Sequence, residues 1–177
     1  MNFFEAVEKR YCHKAKFSSE DVSLSELEQI AKAGLAAPTG NNTQCVKFVI
    51  LRNRDEVQKI ADIVALDELL TAPAAIAVLT DSEGHRHPYN FEVEDYSAAT
   101  AQMLLAATAM GYVSGWLDSP FFDEKNQKAA LSALGASERY HLRVVLPIGR
   151  PGGEASRRDK LAFSERASYG KMGNVEN

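Results

Sequence analysis

The chain has 177 residues, 45% of them hydrophobic and 25% charged, proportions that suit one well-buried core and exclude a disordered or low-complexity protein. Its net charge of −4 offers no global attraction to nucleic acid or to an anionic membrane surface, so any anion site must be a local cluster of bases. The opening MNFFEAVEKRYCHK sets Glu5 and Glu8 among its apolar residues, which argues against a secretory leader, and no stretch reaches the roughly 18 uncharged apolar residues of a membrane helix.

In chain order, Phe3, Phe4, Ala6 and Val7 fall at helical spacing and predict a short amphipathic helix ending near Arg10. Ser23 with Glu26 three residues on reads as a capping box. It opens a second helix whose face carries Leu24, Leu27, Ile30, Ala31 and Leu35 and which ends at Ala36-Ala37-Pro38. After the turn-rich PTGNNT, the run from Val46 to Leu51 is dense in β-branched and aromatic residues and predicts a buried strand. Asp55 is expected to cap a helix through about Leu70, broken by Pro73, and Ala74 to Thr80 reads as a second interior strand.

Residues 81–96 are polar and aperiodic, which predicts an exposed excursion. His85 and His87 lie there with Glu83, but no further ligands recur at usable spacing, so solvated histidines are expected rather than a metal site. Ser97 to Met110 is the most apolar helix and should be central, with Gly111 at its C′ position. A short strand from Tyr112 to Leu117, a helix from Asp123 to Leu134 stopped by Gly135, and a last strand from His141 to Ile148 follow. This order predicts one α+β domain over 1–177, a mixed sheet covered by helices on both faces. Neither GxGxxG opening a βαβ unit nor GxxxxGK[ST] occurs, so a Rossmann site and a P-loop are not supported. Cys12 and Cys45 lack CxxC spacing, fit a reducing cytoplasm, and read as small buried hydrophobes.

Three segments at element ends are candidates for one composite site. Arg10-Tyr11-Cys12-His13-Lys14-Ala15-Lys16-Phe17 carries four potential cations. Ala37-Pro38-Thr39-Gly40-Asn41-Asn42-Thr43-Gln44 is rich in amide, hydroxyl and backbone donors. Gly149-Arg150-Pro151 leads to Arg157-Arg158-Asp159-Lys160. Each alone reads as solvated surface or as an ordinary loop. Together, in an acidic protein, they are what a phosphate-bearing ligand requires, because arginine forks grip phosphate oxygens and lysine supplies a point charge.

The chain resembles the nitroreductase-like FMN-dependent oxidoreductases over nearly its whole length. The resemblance rests on RYCHKAKF, AAPTGNNTQCVKFVIL, SAATAQMLLAATAMGYVSGW, and LPIGRP followed by RRDK, in that order. It implies a homodimer with a mainly antiparallel sheet and FMN at the subunit interface. Arg10, Tyr11, Cys12 and Lys14 would sit on the flavin, with Arg10 toward the ribityl phosphate, Tyr11 acting through its backbone, and Lys14 near the N1 and C2 carbonyl edge. Arg158 and Lys160 would close over the phosphate, with Arg150 and Arg157 as neighbours. Pro38, Thr39, Gly40 and Asn42 would reach the flavin of the other subunit, and Gly115, Trp116, Leu117 and Asp118 would lay backbone against the isoalloxazine and offer an N–H to N5. Residues 161–177 would form an arm laid across the second subunit.

The implied activity takes hydride from NADH or NADPH to flavin N5 and passes electrons, by ping-pong exchange, to a small conjugated acceptor such as a nitroaromatic or quinone. Flavin N5 carries the chemistry, so no side chain is expected to be catalytic and no metal is required. The alternatives are a dehalogenase or flavin-consuming enzyme of the same fold, and a non-catalytic flavin-binding dimer. The chain departs from the family's usual pattern at Cys12, where serine is common, and at Cys45-Val46, where Pro-Trp is common. Ala65 and Leu66 stand where a polar flavin partner is often found, and His13 would make one phosphate charge pH-dependent.

Overall fold

The computed structural model describes residues 1–84 and 89–173; His85 and His87 lie outside them. Four strands, β1 (Val46–Leu51), β2 (Ala74–Asp81), β3 (Val113–Ser114) and β4 (Tyr140–Gly149), make one antiparallel sheet in the order β1-β2-β4-β3. The expected α+β class, a mainly antiparallel sheet with helices on both faces, is the one observed.

Side-chain alternation along β2 decides the layering. Ala74, Ile76 and Val78 face a core shared with α2 (Leu24–Leu35) and α5 (Glu92–Ala109), through Leu27, Ile30, Met103 and Leu104. Ala75, Ala77 and Leu79 face a second core built with α3 (Arg54–Val64), α4 (Asp67–Thr71) and α6 (Glu124–Ala133), through Val57, Ile60, Leu69 and Leu131. Every residue of β2 is therefore buried, and the strand reads as an unbroken apolar run. Along β4 the alternation is interrupted. Val78 pairs with Val144 but Leu79 pairs with Leu142, leaving Arg143 as the extra residue of a bulge. The bulge puts Leu142 and Val144 on opposite faces and aims Arg143 at Thr80 Oγ1 (2.8 Å) and at the Glu92 carboxylate.

The Ser23–Glu26 capping box forms as expected, and α1 (Phe3–Lys9) is closed by a second one between Asn2 and Glu5. Three expectations need correction. The helix expected from Asp55 to Leu70 is two helices: Asn53 caps α3, and Ala65, at φ 50°, turns the chain left-handed before α4 begins. The central helix starts at Glu92, five residues earlier than Ser97, so the end of the polar excursion is helical, and Glu92 and Asp95 are buried. The strand expected over Tyr112–Leu117 is regular only at Val113–Ser114, with a single bridge from Leu117 to Val145.

Among the described residues no helix is long and apolar enough to cross a membrane, and no group of three or more His, Cys, Asp or Glu is arranged to hold a metal ion.

Asp81, at the end of β2, is buried beneath a bidentate pair of bonds from Arg139, which hold its carboxyl below the usual carboxylate value. A carboxyl depressed in the fold contributes stability that is present above its unfolded value, about 3.9, and lost as the pH falls through its folded value. Arg139→Met should therefore destabilise the fold at pH 7, less than breaking a fully buried pair would because the guanidinium is 43% exposed. In urea melts the gap from wild type should close as the pH is lowered below the unfolded carboxylate value of about 3.9.

Candidate functional site

The basic run is held against the β3 edge of the sheet. Cys12 bridges Ser114 in parallel fashion, and the His13 N–H donates to the Ser114 carbonyl at 2.9 Å. Phe17 bridges Pro151, Ser18 N–H donates to Arg150 O at 2.9 Å, and Gly152 N–H to Lys16 O at 2.8 Å. The first and third predicted segments thus run side by side, and the chain leaves this pairing toward Arg157, Arg158 and Lys160. Arg10, Tyr11 and Cys12 are half-buried, and Lys14, Arg158 and Lys160 are exposed.

His13 does not join that charged surface. It is fully buried, edge-on to Phe17, with Nε2 3.1 Å from the Lys16 carbonyl and Nδ1 3.3 Å from the Tyr11 hydroxyl. With both ring nitrogens engaged inside the loop, it serves as an internal strut rather than a phosphate contact. Arg150 is also committed elsewhere. Its guanidinium lies over the Tyr112 ring at 4.5 Å, donates to Gly111 O at 2.6 Å and faces Glu20 at 3.8 Å, so it clamps the start of β3 to the 18–22 segment.

The segment Gly115–Asp118 follows β3 directly. Gly115 and Leu117 N–H groups donate to the carbonyls of Pro147 (3.3 Å) and Val145 (3.1 Å) on β4. By strand alternation the N–H groups of Trp116 and Asp118 point the other way, and neither has a partner among the described residues. A Cβ at position 115 would stand 3.2 Å from both His13 O and Pro147 Cγ, so glycine lets the basic run close down on the sheet. The Asp118 carboxylate accepts from Trp116 Nε1 (2.9 Å) and from Ser119 N–H (2.6 Å), which fixes the indole beside Tyr96. Ser114 Oγ, buried where the two segments meet, has no hydrogen-bond partner among the described residues.

The second predicted segment lies apart from the other two within one chain. Pro38, Thr39, Gly40 and Asn42 sit on the loop from α2 to β1, where Thr39 and Asn42 help line an open cavity of about 670 Å³ with Leu35, Phe48 and Ile50. Asn41, Asn42 and Gln44 all hold left-handed backbone, with φ between 51° and 54°. The group that organises them, Asp95, was not among the sequence-based candidates. Its buried carboxylate accepts from Gly40 N–H (2.7 Å), Thr43 Oγ1 (3.0 Å) and Cys45 Sγ (3.4 Å). Burial, and the bond to that carboxylate, push the Cys45 thiol up to about 11, so it stays protonated at neutral pH. The only hint in the sequence was an Asp just before the most apolar helix.

Against known proteins, the profile of the Nitroreductase family matches residues 7–75 and 64–150. A protein of Archaeoglobus fulgidus, provisionally named NADH dehydrogenase/NAD(P)H nitroreductase, is 34% identical over 139 residues, 78% of this chain and 79% of that one. Among solved structures, the FMN-dependent nitroreductase of Clostridium difficile R20291 superposes with a TM-score of 0.81 at 20% identity, covering 96% of this chain and 99% of that one. A provisionally named nitroreductase of Desulfovibrio desulfuricans, solved in complex with FMN, gives 0.78 at 25% identity, covering 93% and 94%.

Proposed function

The chain belongs to the nitroreductase family, and from that premise we propose that it is a homodimeric oxidoreductase using FMN and NADH or NADPH to reduce a small conjugated acceptor, nitroaromatic or quinone. The observation that carries this reading is the pairing of RYCHK with β3 at Ser114, just before the segment Gly115–Asp118. It brings half-buried and exposed cations to the same edge as two unpartnered N–H groups.

The residues present fit FMN. The dianionic phosphate matches Arg10, Arg158 and Lys160, in a chain whose overall charge would repel an anion. The flat ring system matches a backbone stretch kept low by Gly115 and flanked by Trp116, with a donor from Trp116 or Asp118 for N5. When bound, FMN supplies hydride acceptance at N5 and onward delivery of electrons. The chain's part is positioning and electrostatics. Lys14, exposed and without an ion pair among the described residues, offers positive charge to the N1 and C2 carbonyl edge, where it favours the reduced form. Cys12, with Arg10 Nη1 3.9 Å from its sulfur, is a weak hydrogen-bond partner, so grip on the phosphate end falls mainly to the cations.

The dimer supplies the loop that one chain leaves remote from this edge. Residues 161–173 pack on themselves, with Leu161 and Phe163 65% and 70% exposed. β1 is an edge strand, and the cavity beside it exposes Phe48 and Ile50. An arm with uncovered apolar anchors and an uncovered sheet edge suit exchange between two copies.

The test is direct. Purified protein is expected to be yellow, or to become so with added FMN, and anaerobic mixing with NADH or NADPH should bleach the flavin band before an acceptor restores it. Colourless protein that ignores FMN overturns the proposal, and a bound flavin that neither nucleotide reduces would leave a carrier.

A further inference from the structure

A carboxylate removed from water is costly unless hydrogen bonds replace its hydration. Asp95 is 2% exposed and stands in the first turns of α5, with no basic side chain among the described residues hydrogen-bonded or ion-paired to it. It is compensated by three donors, all from one short segment: the Gly40 N–H, the Thr43 hydroxyl and the Cys45 thiol. Those donors span the stretch in which Asn41, Asn42 and Gln44 adopt left-handed backbone. Such conformations cost free energy in residues other than glycine and persist only where the surroundings enforce them. Gly40 packs so closely on the Phe91 ring that a Cβ there would overlap it, which fixes the loop from the other side.

Tyr96, the next residue along α5, packs against Trp116 with ring centroids 6.5 Å apart. The first turns of α5 therefore support both the donor-rich loop and the indole beside the candidate flavin edge. We propose that Asp95 is a positioning residue of the flavin site, its buried carboxylate holding the loop from Thr39 to Gln44 in the one shape that can meet the cofactor across the dimer. This rests on the FMN reading above. It assigns Asp95 no contact with the flavin; the group acts through the loop.

The test is FMN affinity of the full-length protein, followed by flavin fluorescence and by the shape of the bound-flavin absorbance band, beside thermal melts of the flavin-free forms. Asp95→Ala should bind FMN at least about tenfold more weakly, with a blurred, solvent-like flavin band. Asp95→Asn should recover most of the affinity, because its carbonyl oxygen can accept from Gly40 while its NH₂ is accepted by the Thr43 hydroxyl. Val57→Ala, which trims the opposite core, is the control for lost stability and should bind FMN as wild type does. If Asp95→Ala does not fold, Thr43→Val removes one donor and should weaken binding about threefold or more. Wild-type protein that fails to bind FMN would defeat the functional reading itself. If wild type binds and Asp95→Ala, or in its place Thr43→Val, matches the Val57→Ala control in affinity and spectrum, the positioning role is wrong while the functional reading stands.

Discussion

Alanine at both Arg158 and Lys160 is expected to raise the FMN dissociation constant by about two to four orders of magnitude while leaving the thermal stability of the flavin-free protein unchanged. Both side chains are exposed, and neither makes an ion pair or hydrogen bond among the described residues, so the fold does not depend on them. Each charge-assisted bond to phosphate contributes about 1.5–3 kcal/mol. Two bonds amount to about 3–6 kcal/mol, and 1.4 kcal/mol is a tenfold change. Riboflavin supplies the internal control, since it presents the same ring without the phosphate. Wild type should prefer FMN strongly, and the double variant should keep only the smaller preference that Arg10 alone supports. Added salt should erode the wild-type preference more than the variant's. If the variant keeps the full wild-type preference for FMN, the C-terminal cations are not at the phosphate, and the burden falls on Arg10 alone.

Where a residue's partners are near in sequence, its role was legible. Ser23 and Glu26 announce α2 because both members of the box lie within one turn, and the unbroken apolar run of β2 announces a strand buried on both faces. The errors at Glu92, Asp95 and Arg150 share one physical cause: the deciding partner is far along the chain. Glu92 and Asp95 read as solvated because nothing local neutralises them. They are buried because Arg143 arrives from the β4 bulge and because the loop after α2 brings its donors. His13 reads as one more cation in a basic run, yet Phe17 and the Lys16 carbonyl draw it inside. Arg150 reads as a neighbour of the phosphate site but is claimed by Tyr112, Gly111 and Glu20. The break at Ala65 carries neither glycine nor proline to mark it. Charge in a sequence locates where cations are available, and only the fold decides which of them remain free for a ligand.

Ending the chain at Lys160 should turn a dimer into a monomer at micromolar concentration and take most of the FMN affinity with it. Among the described residues the hydrogen bonds and ring contacts of the removed segment are all internal to it. Phe163 packs on Tyr169, Ala162 N–H donates to Glu165, and Gly173 N–H to Ser168. Its loss should therefore leave both cores, and the melting of the flavin-free chain, nearly intact. Burying a leucine or phenylalanine contributes about 1.5–3 kcal/mol. Leu161 and Phe163 together provide about 3–6 kcal/mol per arm, and two-fold symmetry doubles this to about 6–12 kcal/mol, a difference that separates a nanomolar dimer from a monomer. Flavin loss would follow because, in the proposed dimer, the loop around Gly40 comes from the second copy, and with it would go the stabilisation that bound FMN lends the fold. Sedimentation and flavin fluorescence on the shortened chain should change together. A shortened chain that still sediments as a dimer and still retains FMN would place the dimer contact elsewhere, with the exposed Phe3 and Phe4 of α1 as the next surface to remove.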